Sequence, residues 1–465
     1  MERKSPEFIF SPKTVALVGA SPQKNKISGV ILESILKAGF NGKVFPVNPK
    51  YEAVSGLKCY PSIDDIKEVI DLVVFSIPAA AIPPIIRNSS DKIRGAVIIS
   101  GGFAETGENG RALEKELRDI VRHTGVRIIG PNCMGIYDTV SKLDTFFIPH
   151  DRIKRPGEGA LAIISQSGSF AVTAMDELAA EGIGVSRVIS YGNRADLNES
   201  DCLEFLSEDE RTDAVALYIE SVEDGKRFVD AARRCAEKKP VMAIKVGKTE
   251  AAVLAARSHT GAMAGRYDFY RAAFKKAGVI ELDGYEGFIS GCKAFGSRGR
   301  VKGPAGRRVM IITDGGGIGV GIADACAEAG LDVAPLKDAV RDELARSLPP
   351  YCSLSNPMDL TGSATDELFA EALEKTLSGD DYDMAIVAAL WGPPALTDEM
   401  VSLMAEKAGI AGKPVIICSP GGEFTRSKMG LFRKSGFPVF TTPESAVRAA
   451  SILSSVKRGK PAVKG

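Results

Sequence analysis

Short apolar runs rich in Val and Ile alternate along the chain with longer amphipathic stretches. Strand-length runs of this kind are typical of strands that are buried on both faces of a sheet. The amphipathic stretches between them supply the helices that cover those faces. The pattern therefore predicts an α/β protein built on parallel sheets.

One sequence pattern occurs three times. Residues 14–21 read TVALVGAS, residues 161–169 read LAIISQSGS, and residues 309–319 read VMIITDGGGIG. Each copy is a predicted buried strand that ends in a Gly/Ser turn and opens a helix. The chain has 465 residues, and at roughly 150 residues per domain the three copies predict three consecutive domains.

Two charged segments punctuated by Gly and Pro separate the three copies. They lie at residues 150–159 and 296–306, and this composition is typical of linkers. We therefore predict domains at residues 1–150, 151–297 and 306–465.

Charge limits the classes of partner. Lys and Arg total 59, as do Asp and Glu, so the formal net charge is zero. Without a basic field the chain has no general means of holding a nucleic-acid backbone or an anionic membrane. Any anionic ligand must therefore be bound by local groups.

Features that are absent or scarce in the sequence predict where the protein is found and what kind of organism it comes from. The N-terminus has no apolar core of signal-peptide length and the apolar runs are broken by polar residues, so we expect a cytoplasmic protein without a membrane span. The eight cysteines form no Cys-x-x-Cys pair, which argues against a structural zinc site or a dithiol centre. Glutamine is scarce, a trend of heat-adapted proteins, so we expect a thermophilic source.

The strand–turn–helix units predict binding sites for anions. Each unit places backbone N–H groups and the positive end of a helix dipole at one point, outside the carboxyl end of a strand. The alternative is that the turns are only structural, because every α/β domain has such turns and most of them bind nothing.

The first turn, residues 19–29, does not favour a dinucleotide. It lacks the G-x-G-x-x-G spacing, and Asn48 stands where an NAD site needs an acidic residue for the ribose. Both features argue against an oxidoreductase, which stays open as the less favoured alternative.

An extended ADP-containing ligand such as coenzyme A fits the first domain better. Lys24, Lys26 and Lys50 flank the turn and the next strand end, and residues 76–78 and 100–102 end further strands at the same edge. The alternative is that these lysines are ordinary solvated charges.

His259 is the strongest candidate for chemistry among three histidines. It lies in a stretch of small residues, 248–265, which has few large side chains to anchor it and is therefore expected to move. An imidazole there can act as a base, a metal ligand or a nucleophile. It has no His or Cys companions for a metal site, and the serines of residues 165–169 do not match the G-x-S-x-G elbow of a hydrolase.

A histidine that accepts a phosphoryl group needs three supports. These are a helix N-terminus for the phosphate, a carboxylate that fixes the tautomer, and freedom to move. The turn at 165–169 supplies the first, and Glu220 supplies the second because it ends the predicted strand 214–219 at the same sheet edge.

Several motifs then resemble a known family. VGAS, VFPVNPK, FSIP, SGGF and the Gly-Pro-Asn-Cys-Met-Gly element at residues 130–135 resemble the CoA-binding domain of succinyl-CoA synthetase α subunits. The whole chain resembles the α subunit of ADP-forming acetyl-CoA (acyl-CoA) synthetases, which carries a third domain. The resemblance implies an α/β fold of three consecutive domains: an N-terminal Rossmann-like CoA-binding domain followed by two flavodoxin-like, doubly wound parallel-sheet domains.

The resemblance also implies roles for individual residues. SHTGAMAG resembles the loop whose histidine is phosphorylated, here His259, and YIES resembles the strand end whose glutamate binds the imidazole, here Glu220. It implies no metal ligands in this chain. The implied phosphate and acyl-phosphate contacts are Gln166, Ser167, Gly168, Ser169, Asn193, Gly315, Gly316 and Gly317. The implied CoA contacts are Gly19, Ala20, Ser21, Lys24, Lys26, Ser28, Gly29, Val47, Asn48, Lys50, Ser76, Ile77, Pro78, Ser100, Gly101 and Asn132.

Asp314 departs from what a phosphate site needs. It precedes the glycines of the third opening, where a neutral amide is expected beside an anion. We expect it either to point away from the phosphate or to serve Mg²⁺.

The resemblance finally implies a reaction and a partner. Acyl-CoA, phosphate and ADP would give the carboxylic acid, CoA and ATP through an acyl phosphate and a phosphohistidine on a swinging loop. No ATP-grasp domain or P-loop motif occurs in the chain, so a separate ATP-grasp β subunit would hold the ADP or ATP with Mg²⁺, in an α₂β₂ assembly. The sequence leaves the acyl group open, with acetate as the default, and it leaves open a CoA-sensing or scaffold protein without turnover.

Overall fold

The computed structural model describes residues 6–252, 266–297 and 306–456. The chain divides into two compact units. The first comprises residues 1–180 and 184–281, and the second comprises residues 181–183 and 282–465.

The first unit contains fourteen described strands and eight described α-helices. The strands are β1 Thr14–Val18, β2 Lys43–Val47, β3 Ala53–Val54, β4 Leu57–Lys58, β5 Ile70–Phe75, β6 Ile93–Ile98, β7 Arg127–Ile129, β8 Gly135–Asp138, β9 Leu143–Asp144, β10 Glu158–Ser165, β11 Val185–Ser190, β12 Ala214–Ile219, β13 Val241–Lys245 and β14 Ile280–Glu281. The helices are α1 Glu7–Phe10, α2 Ile27–Ala38, α3 Ile82–Asn88, α4 Glu108–Thr124, α5 Gly168–Ala180, α6 Glu199–Glu208, α7 Gly225–Ala236 and α8 Tyr267–Ala277.

The first sheet is parallel and has the order β2-β1-β5-β6-β7. Alternate residues of its strands face opposite sides, as the period of two requires. Val15 and Leu17 join one buried cluster, whereas Ala16 and Val18 join another. Both faces are therefore covered, which explains why the strands read as unbroken apolar runs.

The second sheet has seven strands in the order β14-β13-β12-β10-β11-β8-β9. Its five strands from β10 to β14 pair in parallel, and β8 and β9 add an antiparallel edge beside β11. These two edge strands precede residue 150, where the sequence predicts a domain boundary. The sheet pairing therefore divides this part of the chain earlier, because the ladder of β11 needs a partner on its outer side.

One buried cluster runs through both sheets of the first unit. It includes Leu17 and Val74 of the first sheet together with Ile136, Ile164 and Ile189 of the second. A continuous core fixes the two sheets relative to each other, so a cavity between them has defined walls.

The second unit contains five described strands and seven described α-helices. The strands are β15 Val309–Thr313, β16 Met358–Asp359, β17 Met384–Ala388, β18 Val415–Cys418 and β19 Val439–Phe440. The helices are α9 Gly284–Gly296, α10 Gly316–Glu328, α11 Asp338–Ser347, α12 Asp366–Leu377, α13 Glu399–Ala411, α14 Glu423–Lys434 and α15 Pro443–Ser454.

The third sheet is parallel, in the order β16-β15-β17-β18-β19, and is buried on both faces. Helix α9 lies in this unit, where it packs against α15. The sequence places residues 284–296 in the middle domain, and that domain boundary stays a prediction.

All three sheets share one winding. Numbered along the chain, the parallel strands of each have the order 2-1-3-4-5, which is the doubly wound, flavodoxin-like order. The predicted α/β fold of three consecutive parallel-sheet domains is thereby confirmed. In each sheet the winding reverses between the first and third strands, and ligands of such sheets bind at this switch point. The switch points lie between β1 and β5, between β10 and β12, and between β15 and β17.

No helix in the described ranges is both long enough and apolar enough to cross a membrane. All eight cysteines lie in those ranges, and each is buried as a free thiol.

Two loops of the first unit are joined by backbone hydrogen bonds. The N–H groups of Asn193 and Ala195 each donate to the loop after β7, reaching the carbonyl oxygens of Pro131 and Gly130 at 2.9 Å. Gly192, which precedes Asn193, is in the left-handed region, with φ of +55°. A Cβ there would lie 2.3 Å from the carbonyl oxygens of Pro131 and Asn132, so only glycine permits this contact.

We expect Gly192→Ala to lower the thermal midpoint of the first unit strongly. The change adds backbone strain of about 1–2 kcal/mol and a clash with backbone that cannot move aside. Gly56→Ala is the matched control, because Gly56 has φ of +80° but no atom within 4 Å of the added Cβ. Differential scanning calorimetry checks the ranking, and equal midpoints for the two variants would contradict it.

Candidate functional site

A cavity of about 590 Å³ lies at the switch point of the second sheet, beside the loops that follow the first sheet. It is lined by the start of α5, the end of β12, the loop after β11 and one face of α4. Its polar and charged lining residues are Arg111, Glu114, Lys115, Arg118, Asn132, Gln166, Ser167, Ser169, Asn193, Arg194, Glu220 and Glu223.

Helix α5 opens into this cavity through the Ser/Gly turn. The Ser165 hydroxyl donates to the carbonyl oxygen of Ser167 at 2.6 Å, and Ser167 Oγ accepts from the N–H of Phe170 at 3.4 Å. The first N–H groups of a helix have no partner within the helix, so the turn presents donors and a positive dipole end to the cavity. A Cβ on Gly168 would lie 2.6 Å from Met134 Cγ, so glycine lets the helix start meet the loop after β7. This part of the site can hold a phosphate or an acyl phosphate.

The side chain of Gln166 faces the end of β12 instead. Its Oε1 accepts from the N–H groups of Glu220 and Ser221 at 2.9 and 3.0 Å, and its Nε2 lies 3.4 Å from Ser221 Oγ. The residue is predicted as a phosphate contact, but its amide is occupied by these bonds.

Glu220 lies at the end of β12 in the same cavity and is 9% exposed. The structure thus brings the predicted carboxylate and the predicted phosphate turn together, as the switch point requires. The charge of the Glu220 carboxylate affects the pKa values of two neighbouring residues. Burial and the nearby Glu220 carboxylate raise the pKa of Tyr218 to about 12. Burial lowers the pKa of Lys245 to about 8, although Glu220 partly offsets that effect and Lys248 adds to it.

Lys245 is fully buried at the end of β13. Its ammonium group donates to the carbonyl oxygen of Val246 and lies 4.6 Å from the centre of the Tyr270 ring. Lys245 pairs in register with Ile219, so it lies beside the strand end that carries Glu220. Lys245 was not predicted from sequence as a site residue, because VMAIKVG reads only as a strand.

The Asn193 amide is held by two carboxylates. Its Nδ2 donates to Glu105 at 2.5 Å and to Glu114 at 3.1 Å, and its Oδ1 lies 3.4 Å from Asn132 Nδ2. Glu105 in turn accepts from the N–H group of Gly102 at 2.6 Å. Burial opposes ionisation of Glu105, but the bonds from Asn193 and the backbone outweigh it and lower its pKa.

Basic side chains line the opposite wall of the cavity. Arg111, Lys115 and Arg118 lie on one face of α4, and Arg118 bonds Glu114 and Glu223 at 3.1 and 3.4 Å. Four cationic residues, counting Arg194, therefore line the cavity together with three carboxylates, Glu114, Glu220 and Glu223, in a chain with no net charge. None of the three α4 residues was singled out from sequence, because a basic helix face is usually only solvated.

Cys133 lines the cavity without the properties of a nucleophile. Burial raises the pKa of its thiol to about 12, and the thiol donates to the carbonyl oxygen of Ile98 at 3.3 Å. A protonated, hydrogen-bonded thiol packs as a small core residue.

The predicted CoA residues gather at the carboxyl edge of the first sheet. Gly19 has φ of +91°, and a Cβ there would lie 2.5 Å from the Ser76 carbonyl oxygen, so the ends of β1 and β5 are in close contact. The Ser100 hydroxyl donates to the Ile77 carbonyl oxygen at 2.6 Å, and Asn132 N–H donates to Ser100 at 3.1 Å. Four separate parts of the predicted set therefore form one surface.

Asn48 has a structural role at this edge. Its Nδ2 donates to the Ala20 carbonyl oxygen at 2.8 Å, and its Oδ1 accepts from Lys50 N–H at 3.0 Å. Gly29 is also structural, because a Cβ there would lie 2.1 Å from the Gln23 carbonyl oxygen.

The remaining members of the set differ in exposure. Those open to solvent are Lys24, Lys26, Lys50, Pro78, Gly101 and Asn132. Those buried are Ala20, Ser21, Ser28, Gly29 and Val47. The exposed lysines stay predicted phosphate contacts, whereas the buried residues shape the turn from within.

His259 lies outside the described residues. The described residues end at Ala252, after β13, and resume at Arg266, which precedes α8. Its role stays a prediction of the sequence.

The third opening lies in the second unit. Helix α10 begins at Gly316 with Gly315 as its N-cap, and Gly315 N–H donates to Thr313 Oγ1 at 3.0 Å. A Cβ on Gly315 would lie 2.2 Å from Leu390, and one on Gly316 would lie 2.6 Å from Asp359, so a larger residue at either position would have to displace one of these side chains. Gly317 is exposed, with no atom within 4 Å of an added Cβ.

Asp314 bonds the neighbouring strand end. Its Oδ1 accepts from Leu390 N–H at 2.9 Å, just beyond β17. Burial raises its pKa, the Leu390 and Trp391 N–H groups oppose that effect, and nearby Asp359 adds to it. Asp314 directly follows β15, just as Gln166 directly follows β10. Each side chain accepts a hydrogen bond from a backbone N–H group beyond the end of the neighbouring strand, β17 for Asp314 and β12 for Gln166.

Comparison with known proteins gives matches along the chain. Residues 13–139 match a CoA binding domain family, residues 158–295 match the succinyl-CoA ligase like flavodoxin domain, and residues 309–442 match a ligase-CoA domain.

Two curated relatives and one solved structure are similar over most of the chain. The acetate–CoA ligase (ADP-forming) I subunit alpha of Pyrococcus furiosus is 35% identical over 456 residues, covering 96% of each chain. The acetate–CoA ligase (ADP-forming) I of Archaeoglobus fulgidus is 37% identical over 448 residues, and the match covers 96% of this chain but 63% of that longer protein. The dinucleotide forming acetyl-coenzyme A synthetase 1 of Ca. Korarchaeum cryptofilum, in complex with phosphate and ADP, is 33% identical with a TM-score of 0.89, covering 97% of this chain and 96% of that one.

We expect Lys245→Met to raise the thermal midpoint at pH 7. Folding lowers the pKa of Lys245 from 10.5 to about 8, so the unfolded chain holds this proton more tightly. Burying the charge thus costs stability below pH 8, and the cost fades as the pH rises toward 10.5. The gain in midpoint at pH 7 should therefore shrink by pH 10. Lys275→Met, at an exposed position, is the control, and a midpoint gain that stays constant across this range would contradict the assignment.

Proposed function

The chain belongs to the family of ADP-forming acetate–CoA ligase α subunits, and we propose that it converts acyl-CoA and phosphate to a carboxylic acid and CoA while passing a phosphoryl group through His259 to ADP. The observation that carries the proposal is the shared cavity. The α5 start, Glu220 and the loop at Asn132 beside the predicted CoA edge all line it. These are the three groups that an acyl phosphate formed from CoA would have to meet.

In the first step a phosphate oxygen attacks the thioester carbonyl carbon. The C–S bond breaks, CoA leaves as a thiolate that takes a proton, and an acyl phosphate remains in the cavity. Charge on the phosphoryl oxygens is stabilised by the N–H groups of the α5 start and by the basic wall formed by Arg111, Lys115 and Arg118.

In the second step an imidazole nitrogen of His259 attacks phosphorus, and the P–O bond to the acyl group breaks. The carboxylate leaves, and the phosphorylated ring carries a positive charge. Glu220 accepts a hydrogen bond from the other ring nitrogen, which fixes the tautomer and stabilises that charge. In the last step an ADP oxygen attacks the phosphorus of the phosphohistidine, the P–N bond breaks, and ATP and the free imidazole of His259 are formed.

The partner is proposed from the chemistry that this chain does not supply. The α-subunit relatives are named as one part of an enzyme, and the Archaeoglobus relative is a longer single protein. We propose a separate ATP-grasp β subunit that binds ADP or ATP with Mg²⁺, in an α₂β₂ assembly. Acetate is the default acyl group, and the cavity volume also admits larger acids.

Two alternatives from the sequence make different predictions. An oxidoreductase would use the first switch point for NAD, but Asn48 is bonded to Ala20 and Lys50 and offers no carboxylate for a ribose. A CoA-sensing or scaffold protein would bind CoA without forming phosphohistidine, so covalent labelling decides between it and the ligase.

We expect wild-type protein to take up label from acetyl-CoA and [³²P]phosphate as an acid-labile, base-stable adduct. His259→Ala should lose that label, since no other predicted residue accepts the phosphoryl group. His123→Ala is the matched control, because His123 lies on the exposed face of α4 near its end. Equal labelling of the wild type and His259→Ala would sink the proposal.

We expect a Lys24→Ala/Lys26→Ala double variant to bind CoA about tenfold more weakly, because two exposed phosphate contacts are lost. The loss should diminish in high salt, as screening weakens such contacts. Lys275→Ala/Lys276→Ala removes the same charge from exposed positions on α8 and should leave CoA affinity unchanged. Isothermal titration with CoA, and with NADH in parallel, measures both. Tighter binding of NADH than of CoA would favour the oxidoreductase.

A further inference from the structure

Strand β12 ends at Ile219, so Glu220 is the first residue beyond the sheet. The last ladder bond at this end runs from Val246 N–H to the Ile219 carbonyl oxygen at 3.1 Å. The next three N–H groups, of Glu220, Ser221 and Val222, all donate to side chains. Gln166 Oε1 accepts the first two, and the Tyr270 hydroxyl accepts the third at 3.1 Å. Side chains, and not the sheet, therefore fix the position of Glu220.

Ser221 is held at every polar atom. Its N–H donates to Gln166, and its carbonyl oxygen accepts from an Arg194 N–H. Its hydroxyl oxygen accepts from the other Arg194 terminal nitrogen at 3.1 Å and lies 3.4 Å from Gln166 Nε2. Gln166, Ser221 and Arg194 thus form one connected group, which we call the Ser221 clamp. These bonds restrain the position of Ser221, although Arg194 Nε is buried without a hydrogen-bond partner among the described residues.

The two arms of the clamp come from different parts of the site. Gln166 lies between β10 and the α5 start, so its position follows the phosphate turn. Arg194 has φ of +64° in the loop after β11, which is bonded to the loop of residues 130–132. That loop carries Asn132 of the predicted CoA edge. Each arm therefore links one of the two predicted ligand sites to the chain segment that carries Glu220.

The residue types suit this task. Gln166 supplies an acceptor for two N–H groups and a donor toward Ser221 without placing a second negative charge beside Glu220. Arg194 offers two donors in a fixed plane, which matches the carbonyl and hydroxyl oxygens of one serine. Both side chains are buried, at 7% and 6% exposure, so these bonds do not compete with water.

We propose that Gln166 and Arg194 are positioning residues, which hold Glu220 through Ser221 where it can orient the imidazole of His259. The inference rests on the proposed function, and it gives Gln166 a different role from the phosphate contact predicted from sequence. The phosphate would then meet the backbone N–H groups of the α5 start, while the Gln166 amide faces the other way.

The test is the single-turnover rate of labelling with acetyl-CoA and [³²P]phosphate on the full chain. We expect Gln166→Met to slow labelling about tenfold or more, because it leaves two buried N–H groups without an acceptor. The dissociation constant for CoA should stay within about twofold of the wild type, because Gln166 is not part of the predicted CoA edge. A general loss of structure would weaken both.

Two further variants separate positioning from folding. Gln166→Glu keeps an acceptor for both N–H groups but adds a negative charge beside Glu220, so it should label faster than Gln166→Met and more slowly than the wild type. Arg194→Lys keeps the charge but not the paired donors, and should label at least about threefold more slowly than the wild type. Arg233→Gln, in an exposed pair with Asp230 on α7, should label at the wild-type rate.

The outcomes distinguish the two proposals. Equal labelling of the wild type and His259→Ala overturns the proposed function, and the clamp's role with it. If the wild type is labelled and Gln166→Met is labelled at the same rate, the positioning role of the Ser221 clamp is overturned and the proposed function stands. Equal loss of labelling and of CoA affinity in Gln166→Met also overturns it, because Gln166 would then support the fold in general. Labelling that falls while CoA binding is kept supports the clamp.

Discussion

Where a doubly wound sheet reverses its winding, two strand ends stand side by side and their next N–H groups have no neighbouring strand to bond. These groups are half-buried and need partners, because an unsatisfied buried N–H costs about 1–3 kcal/mol. The structure solves this problem at the second and third switch points with one side chain just after the first strand. Gln166 does so in one sheet and Asp314 in the other. The partners that satisfy the strand ends also determine where the functional groups lie.

The need to satisfy a strand-end N–H group also explains why the acidic residue Asp314 precedes a phosphate-binding turn. An acid beside a phosphate-binding turn would repel the ligand, yet Asp314 precedes such a turn. Its carboxylate serves Leu390 N–H, and a hydroxyl residue before it, Thr313, contacts the backbone two residues later. Ser165 makes the corresponding contact in the second sheet. The two turns therefore share a geometry in which the residue after the strand is structural and the glycines and serines that follow face the opening.

The charges that line the cavity show how a chain with no net charge can attract a phosphate. The cavity collects Arg111, Lys115, Arg118 and Arg194, while Glu114 and Glu223 hold some of them in place. The cations are thus largely balanced by carboxylates within the same cavity, so a phosphate is attracted over a few ångströms without a basic field that would bind nucleic acid. Glu220 and the buried Lys245 add a second, inner pair of opposite charges beneath the cavity.

The sequence by itself determined that the sheets are parallel and at which edge the chemistry occurs. Three strand–turn–helix repeats implied three parallel sheets, and parallel strands end at one edge, so Ser167–Ser169 and Glu220 had to lie together. It could not identify the residues that act across the fold. Gln166 read as a phosphate contact, Asp314 read as an unexpected acid beside a phosphate turn, Arg194 and Lys245 were assigned no individual role, and strands β8 and β9 read as part of the first domain. Only the tertiary structure decided these assignments, because hydrogen-bond partners 27 to 76 residues apart in the chain leave no periodic signal in the sequence.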